Sequence, residues 1–98
     1  MENRIEEYRR LADILKVLAH PVRLCIVRGL WQHGGCNVSH MQDCLGAPQS
    51  TISQHLQKLR AAGIIVGERQ GLEVVYRVAD ERMAELLRSW LPKEGGEI

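Results

Sequence analysis

Between Ser39 and Gly63 the chain has room for two helices and only Gly46-Ala47-Pro48 with which to join them. Ser39-His40-Met41-Gln42 has the capping-box pattern, a hydroxyl followed three residues later by Gln, so a short helix is expected to begin there and run to Leu45. Gly46 is the expected left-handed stop, and Pro48 suits the first turn of the next helix. Two helices joined by so tight a turn are a helix-turn-helix signature.

The second of these helices, within Pro48 to Gly63, has two unlike faces. At about 100° per residue Ile52, Leu56 and Leu59 converge on one side, while Ser50, Ser53, Gln54 and Gln57 fall together on the other. Solvent faces of helices are ordinarily dominated by Glu, Lys and Arg. A Ser/Gln cluster flanked by Lys58 and Arg60 instead suits base-edge reading between phosphate contacts. The competing reading is a polar surface helix.

The remaining segments supply a frame. Ile5, Tyr8, Leu11, Ala12, Leu15 and Leu18 have the spacing of an amphipathic helix over Arg4 to Ala19. His20-Pro21 breaks it, and a second helix is expected from about Pro21 to Trp31, apolar on most sides and so buried, with Cys25 in the core. Gln32-His33-Gly34-Gly35 ends that helix, and Cys36-Asn37-Val38 makes a short extended link. After Gly63, two β-branched runs around Arg69-Gln70-Gly71 read as a hairpin. Asp80 is the expected cap of a last helix whose Met83, Leu86, Leu87, Trp90 and Leu91 form another apolar stripe. The fold class is therefore mainly α with a small β-hairpin: one domain over residues 1–92, followed by a fraying tail over 93–98.

Composition sets limits on the function. At 45% hydrophobic and 26% charged the chain is globular, and at 98 residues a shared core in a dimer would help its stability. A net charge of +1 means that a nucleic-acid binder of this balance must segregate its basic residues on one face. Three cysteines without a disulfide-framework spacing, no signal-peptide pattern and no apolar run near the ~20 residues of a membrane span lead to the expectation of a cytoplasmic protein with reduced thiols and no membrane partner.

In order and in register, Leu18-Ala19-His20-Pro21-Val22-Arg23-Leu24, Pro48-Gln49-Ser50-Thr51-Ile52-Ser53-Gln54-His55-Leu56 and Arg69-Gln70-Gly71 resemble the ArsR-type winged helix-turn-helix repressors over about residues 5 to 92. The resemblance implies a homodimer joined through the first and last helices, here Ile5, Tyr8, Leu11, Leu15, Met83, Leu86, Leu87 and Trp90. It implies a fourth helix in the major groove of a double-stranded operator, with Gln49, Ser50, Thr51, Ser53, Gln54, Gln57, Lys58 and Arg60 as contacts. A wing carrying Arg69 and Gln70 would touch the backbone or minor groove.

The sensing sites of that family do not transfer. Where metal-sensing members have a Cys-x-Cys pair at the start of the third helix, this chain has Asn37 and Ser39, and after His55 it contains no histidine with which to build a site on the last helix. Other soft ligands stand nearby. His33, Cys36, His40 and Cys44 lie in one short segment, with His40 and Cys44 at the i, i+4 spacing that can chelate zinc. Cys36 is expected to lie more than a helical turn from Cys44, and cysteine often serves only as a small buried hydrophobe. No cofactor is called for, and a metal or thiol-reactive inducer at Cys36, His40 and Cys44 is left open. Trp31 and Trp90 read as packing residues, and His55 lies between the two faces of its helix.

No nucleophile, base and oxyanion donor cluster in the sequence, and there is no phosphate-binding glycine loop, so an enzyme is not expected. A protein-interaction adaptor on the same scaffold is the stronger rival. Such an adaptor has no need of Ser50, Ser53, Gln54 and Gln57 between Lys58, Arg60 and Arg69, whereas a sequence-specific DNA-binding repressor reading a near-palindromic operator does.

Overall fold

The dipeptide His20-Pro21 separates the first two helices in the computed structural model, which describes residues 4–90. Helix α1 spans Ile5–Leu18 and α2 spans Pro21–His33. Between them His20 is extended, and its Nδ1 accepts the Val22 N–H at 3.1 Å, so the histidine itself caps the helix that proline opens. The second helix outlasts the expected end at Trp31 by two residues. Gly34 stops it in the left-handed region at φ 74°, with its N–H bonded to the Leu30 carbonyl.

Helix α3, Val38–Leu45, starts one residue before the expected Ser39 cap. The cap is Asn37, whose side-chain oxygen accepts the His40 N–H at 2.8 Å. Gly46 at φ 64° then reverses the chain as expected, and α4 runs over Gln49–Ala61. Pro48 stands just outside α4 with extended ψ, not inside its first turn, and no side chain caps the helix there.

Strands β1, Ile65–Gln70, and β2, Glu73–Val78, pair antiparallel from Ile65 with Val78 to Gln70 with Glu73. Arg69 and Gln70 are strand residues, and the two-residue tip is Gly71-Leu72. Gly71 has φ 67° and Leu72 is not in the left-handed region, the pattern of a type II′ hairpin. Cys36 forms an isolated bridge on the far side of β2, with both backbone hydrogen bonds to Tyr76 at 2.9–3.0 Å. The last helix, α5 (Glu81–Leu87), is capped by the Asp80 carboxylate on the Arg82 N–H, as expected.

Every helix contributes to the core. Leu18 comes from α1, Ile26, Val27 and Leu30 from α2, Met41 from α3, Ile52, Leu56 and Leu59 from α4, and Ala84 from α5, with Ile64 and Ile65 at the root of the hairpin. Met83 and Leu87 lean on this core from α5. Ile5, Tyr8, Leu11, Leu15 and Leu86 remain exposed, and Trp90, expected to pack, is 85% exposed in the single chain. Leu91 and residues 93–98 lie outside the described residues. Among those described, no helix is long and apolar enough to cross a membrane.

Candidate nucleic-acid interface

Helix α4 is fixed from behind and open in front. Ile52 and Leu59 are fully buried and Leu56 nearly so, which pins the rotation of the helix about its axis. Burial of this kind is worth about 1.5–3 kcal/mol per side chain, enough to hold one face inward against thermal motion. The residues between them, Gln49, Ser50, Ser53, Gln54, Gln57, Lys58 and Arg60, are exposed as expected. Thr51 is half-buried at the edge of the face. Open hollows flank the helix. One, of about 550 Å³, is lined by Ser53, Gln57, Arg60 and Tyr76, and the other, of about 450 Å³, by Gln54, Gln57 and Lys58. The helix therefore stands proud of the surface.

No acidic residue occurs between Asp43 and Glu68, so α4 and its flanking turns carry cations alone. The acids lie elsewhere: Glu6, Glu7 and Asp13 on α1, Asp43 on α3, Glu68 and Glu73 on the hairpin strands, and Asp80, Glu81 and Glu85 at α5. This is the segregation that a net charge of +1 requires of a polyanion binder. On the wing, Arg69 and Gln70 are exposed beside the tip, and Arg69 has no ion-pair partner among the described residues. Arg77 differs, because its Nη2 donates to Glu68 at 2.7 Å across the strands.

Tyr76 was not legible as part of this surface. Tyr76 lines the larger hollow, with its ring against Gly67, where an added Cβ would lie 3.1 Å from the Tyr76 ring. His55 is turned away from the groove face: its Nδ1 accepts a hydrogen bond from Arg23 Nε, and its ring lies 4.5 Å from that of His20.

The soft side chains are arranged otherwise than expected. Cys25 is exposed, not core, and with Cys36 and Cys44 it lines one slot between α2 and α3. Cys44 Sγ is 3.6 Å from His40 Nε2, so the i, i+4 pair does form. Cys36 is not drawn into it: its thiol donates to the Asn37 carbonyl, and burial, with Cys44 as a smaller influence, pushes its pKa up. Among the described residues, no group of three or more His, Cys, Asp or Glu side chains is placed to hold a metal ion.

Known proteins share this arrangement. A helix-turn-helix domain family matches residues 18–68. The chain is 40% identical over 77 residues to the transcriptional repressor PagR of Bacillus anthracis, covering 79% of this chain and 77% of that protein. The crystal structure of PagR superposes with a TM-score of 0.81 at 36% identity, over 89% of this chain and 99% of that one. A winged helix-turn-helix domain from Mycobacterium bovis, described as homodimeric and as a possible ArsR-family transcriptional regulator, superposes with a TM-score of 0.78 at 30% identity, over 91% of this chain and 82% of that one. The chain belongs to the ArsR-type winged helix-turn-helix family.

That family is one of transcriptional regulators, not enzymes. The repressor SmtB of Mycobacterium tuberculosis is 45% identical over 75 residues, which are 76% of this chain and 55% of that protein. This chain thus spans just over half the length of SmtB. The family assignment accounts for the two-stranded wing.

Proposed function

We propose that this chain is a cytoplasmic, dimeric, sequence-specific repressor that reads a near-palindromic double-stranded DNA operator. The observation that carries the reading is the α4 face: Ser50, Ser53, Gln54 and Gln57 exposed, uncharged and flanked by Lys58 and Arg60. In this reading Gln49, Ser50, Thr51, Ser53, Gln54 and Gln57 meet base edges and the first backbone phosphates, and Lys58, Arg60, Arg69 and Gln70 anchor to the strands. Ile5, Tyr8, Leu11, Leu15, Leu86 and Trp90 pack against a second copy, with Met83 and Leu87 beneath them, and residues 1–92 form the folding unit. A thiol-reactive inducer fits the chain better than a metal ion, because only His40 and Cys44 of the three candidate ligands reach one another.

Two recognition helices in such a dimer should sit about 34 Å apart, one turn of DNA. Selection of binding sites from a random duplex pool, with sedimentation of the free protein, tests this. A dimer recovering an inverted repeat with half-sites one turn apart is the expected result. A monomer at micromolar concentration that selects no sequence would refute it.

A further inference from the structure

The slot between α2 and α3 has an apolar floor and a sulfur-rich rim. Ile26, Leu30, Met41 and Leu45 form the floor, and the cavity is about 150 Å³, a volume known to admit a benzene molecule. The rim follows from helix periodicity. Cys25, Gly29 and His33 recur every four residues along α2, His40 and Cys44 stand four apart on α3, and Cys36 comes from the extended link before α3. The two rows run in opposite directions, since the His33 and His40 rings are 6.4 Å apart beside the connecting loop. Cys25 and Cys44 therefore share the far end. At Gly29 the wall is open: a Cβ there would meet nothing within 4 Å.

The three thiols are not equivalent. Cys36 is tied to the Asn37 carbonyl and its pKa is pushed up by burial, which keeps it a thiol and a poor nucleophile. Cys44 has an imidazole nitrogen at 3.6 Å, the nucleophile and base pairing that activates sulfur, and it stands at the slot's mouth.

We propose that this slot binds small apolar α,β-unsaturated carbonyl compounds of about benzene size and that Cys44 captures them covalently. His40 Nε2 takes the Cys44 proton, and the sulfur adds to the β-carbon of the conjugated system. The alkene π pair moves onto the α-carbon and carbonyl, and His40 returns the proton to the α-carbon. The net change is addition of S–H across the C=C bond, with no oxidant or reductant consumed. The adduct sits in the last turn of α3, two residues before Gly46. A filled slot pushes α3 away from α2 and carries α4 out of register with the groove, a consequence that rests on the DNA-binding reading above.

The test treats the intact protein with 2-cyclohexen-1-one and follows its mass and the labelled peptide. One adduct at Cys44 is expected, at a rate that saturates with enone concentration and is slowed by benzene. His40→Gln should lower the rate at least ~10-fold. Gly29→Leu, which fills the slot while leaving every cysteine in place, should remove saturation and benzene protection while the protein keeps its helical circular dichroism. Labelling shared evenly between Cys25 and Cys44, linear in enone and indifferent to benzene, would overturn the site. In the same samples operator affinity should fall by about 5- to 150-fold, a typical coupling between sites, and Cys44→Ser should abolish the response. Unchanged affinity of fully labelled protein overturns the signalling role. Failure of the unlabelled protein to bind any duplex would instead overturn the DNA-binding reading, with the mass measurement still deciding the slot.

Discussion

Arg23 on α2 donates from Nε to His55 Nδ1 on α4 at 3.1 Å, across 32 positions of sequence. Its Nη1 donates to the Val17 carbonyl near the end of α1 at 3.0 Å. One planar guanidinium thus ties three helices together behind the recognition face. Arg23→Met should leave the groove face chemically intact yet weaken duplex binding on specific and random sequence alike, because α4 loses its brace. Operator titration beside thermal unfolding of the same variant checks this.

The same pair makes the fold sensitive to acid. Burial, the neighbouring His20 ring and the Arg23 charge all push the His55 pKa below its ordinary 6.5. The unfolded chain therefore takes up a proton at His55 before the folded chain does. Stability is fully present above about pH 6.5 and is lost as the pH falls from there through the lower folded value. Denaturant midpoints measured from pH 7.5 to 5 should decline for the wild type. In His55→Gln, whose amide oxygen still accepts from Arg23, the decline should be shallower.

Reading and anchoring are separable on α4 and the wing. Gln54→Ala should cost roughly 1–3 kcal/mol on the selected operator and far less on random DNA. Arg69→Ala should weaken both and flatten the dependence of affinity on salt. Equal losses on the two DNAs for Gln54→Ala would remove that residue from base reading.

The start of α3 gives a contrast between two candidate caps. Asn37→Ala should destabilise the protein by about 1 kcal/mol, whereas Ser39→Ala, exposed within the first turn, should be close to neutral. Asn37 also donates from Nδ2 to Glu73 Oε2 at 3.1 Å, so its loss should loosen the wing as well. Urea unfolding of both variants distinguishes them.

The seam of the dimer is tested on α1. Leu11→Glu and Leu15→Glu lie outside the single-chain core. Each should shift sedimentation from dimer to monomer without loss of helical circular dichroism in the monomer.

What the sequence showed depended on how local the cause was. The two faces of α4, the Gly46 reversal and the Asp80 cap each arise from residues within a turn or two of one another, and periodicity or capping chemistry exposes them directly. The α3 start was misplaced because Ser39 and Asn37 are both competent caps. The choice falls to Asn37 because the backbone bridge from Cys36 to Tyr76 holds the entering chain extended, 40 positions away in sequence. Cys25 was assigned to the core because α2 is apolar on most sides. Its exposure depends on how α3 packs against α2, a tertiary relationship that the apolar pattern of α2 alone does not carry. The Arg23 to His55 brace has no periodic signature at all.

The bridge between Cys36 and Tyr76 also fixes how far the wing can reach. The hairpin is anchored at its base by Ile64 and Ile65 in the core and at Tyr76 by Cys36, and Tyr76 pairs with Gly67. Beyond that pair only three further cross-strand pairs separate the anchor from the Gly71-Leu72 tip. At about 3.3 Å per residue the free lever is roughly 10 Å long. One added residue on each strand would advance the tip by about the 3.4 Å that separates successive nucleotides along a DNA strand. Side chains alternate faces along a strand, so such a step would also turn the residues beside the tip to the opposite face, and only a lengthening by two residues per strand, roughly 7 Å, would keep the aspect of Arg69 and Gln70 while α4 stays where its core anchors hold it.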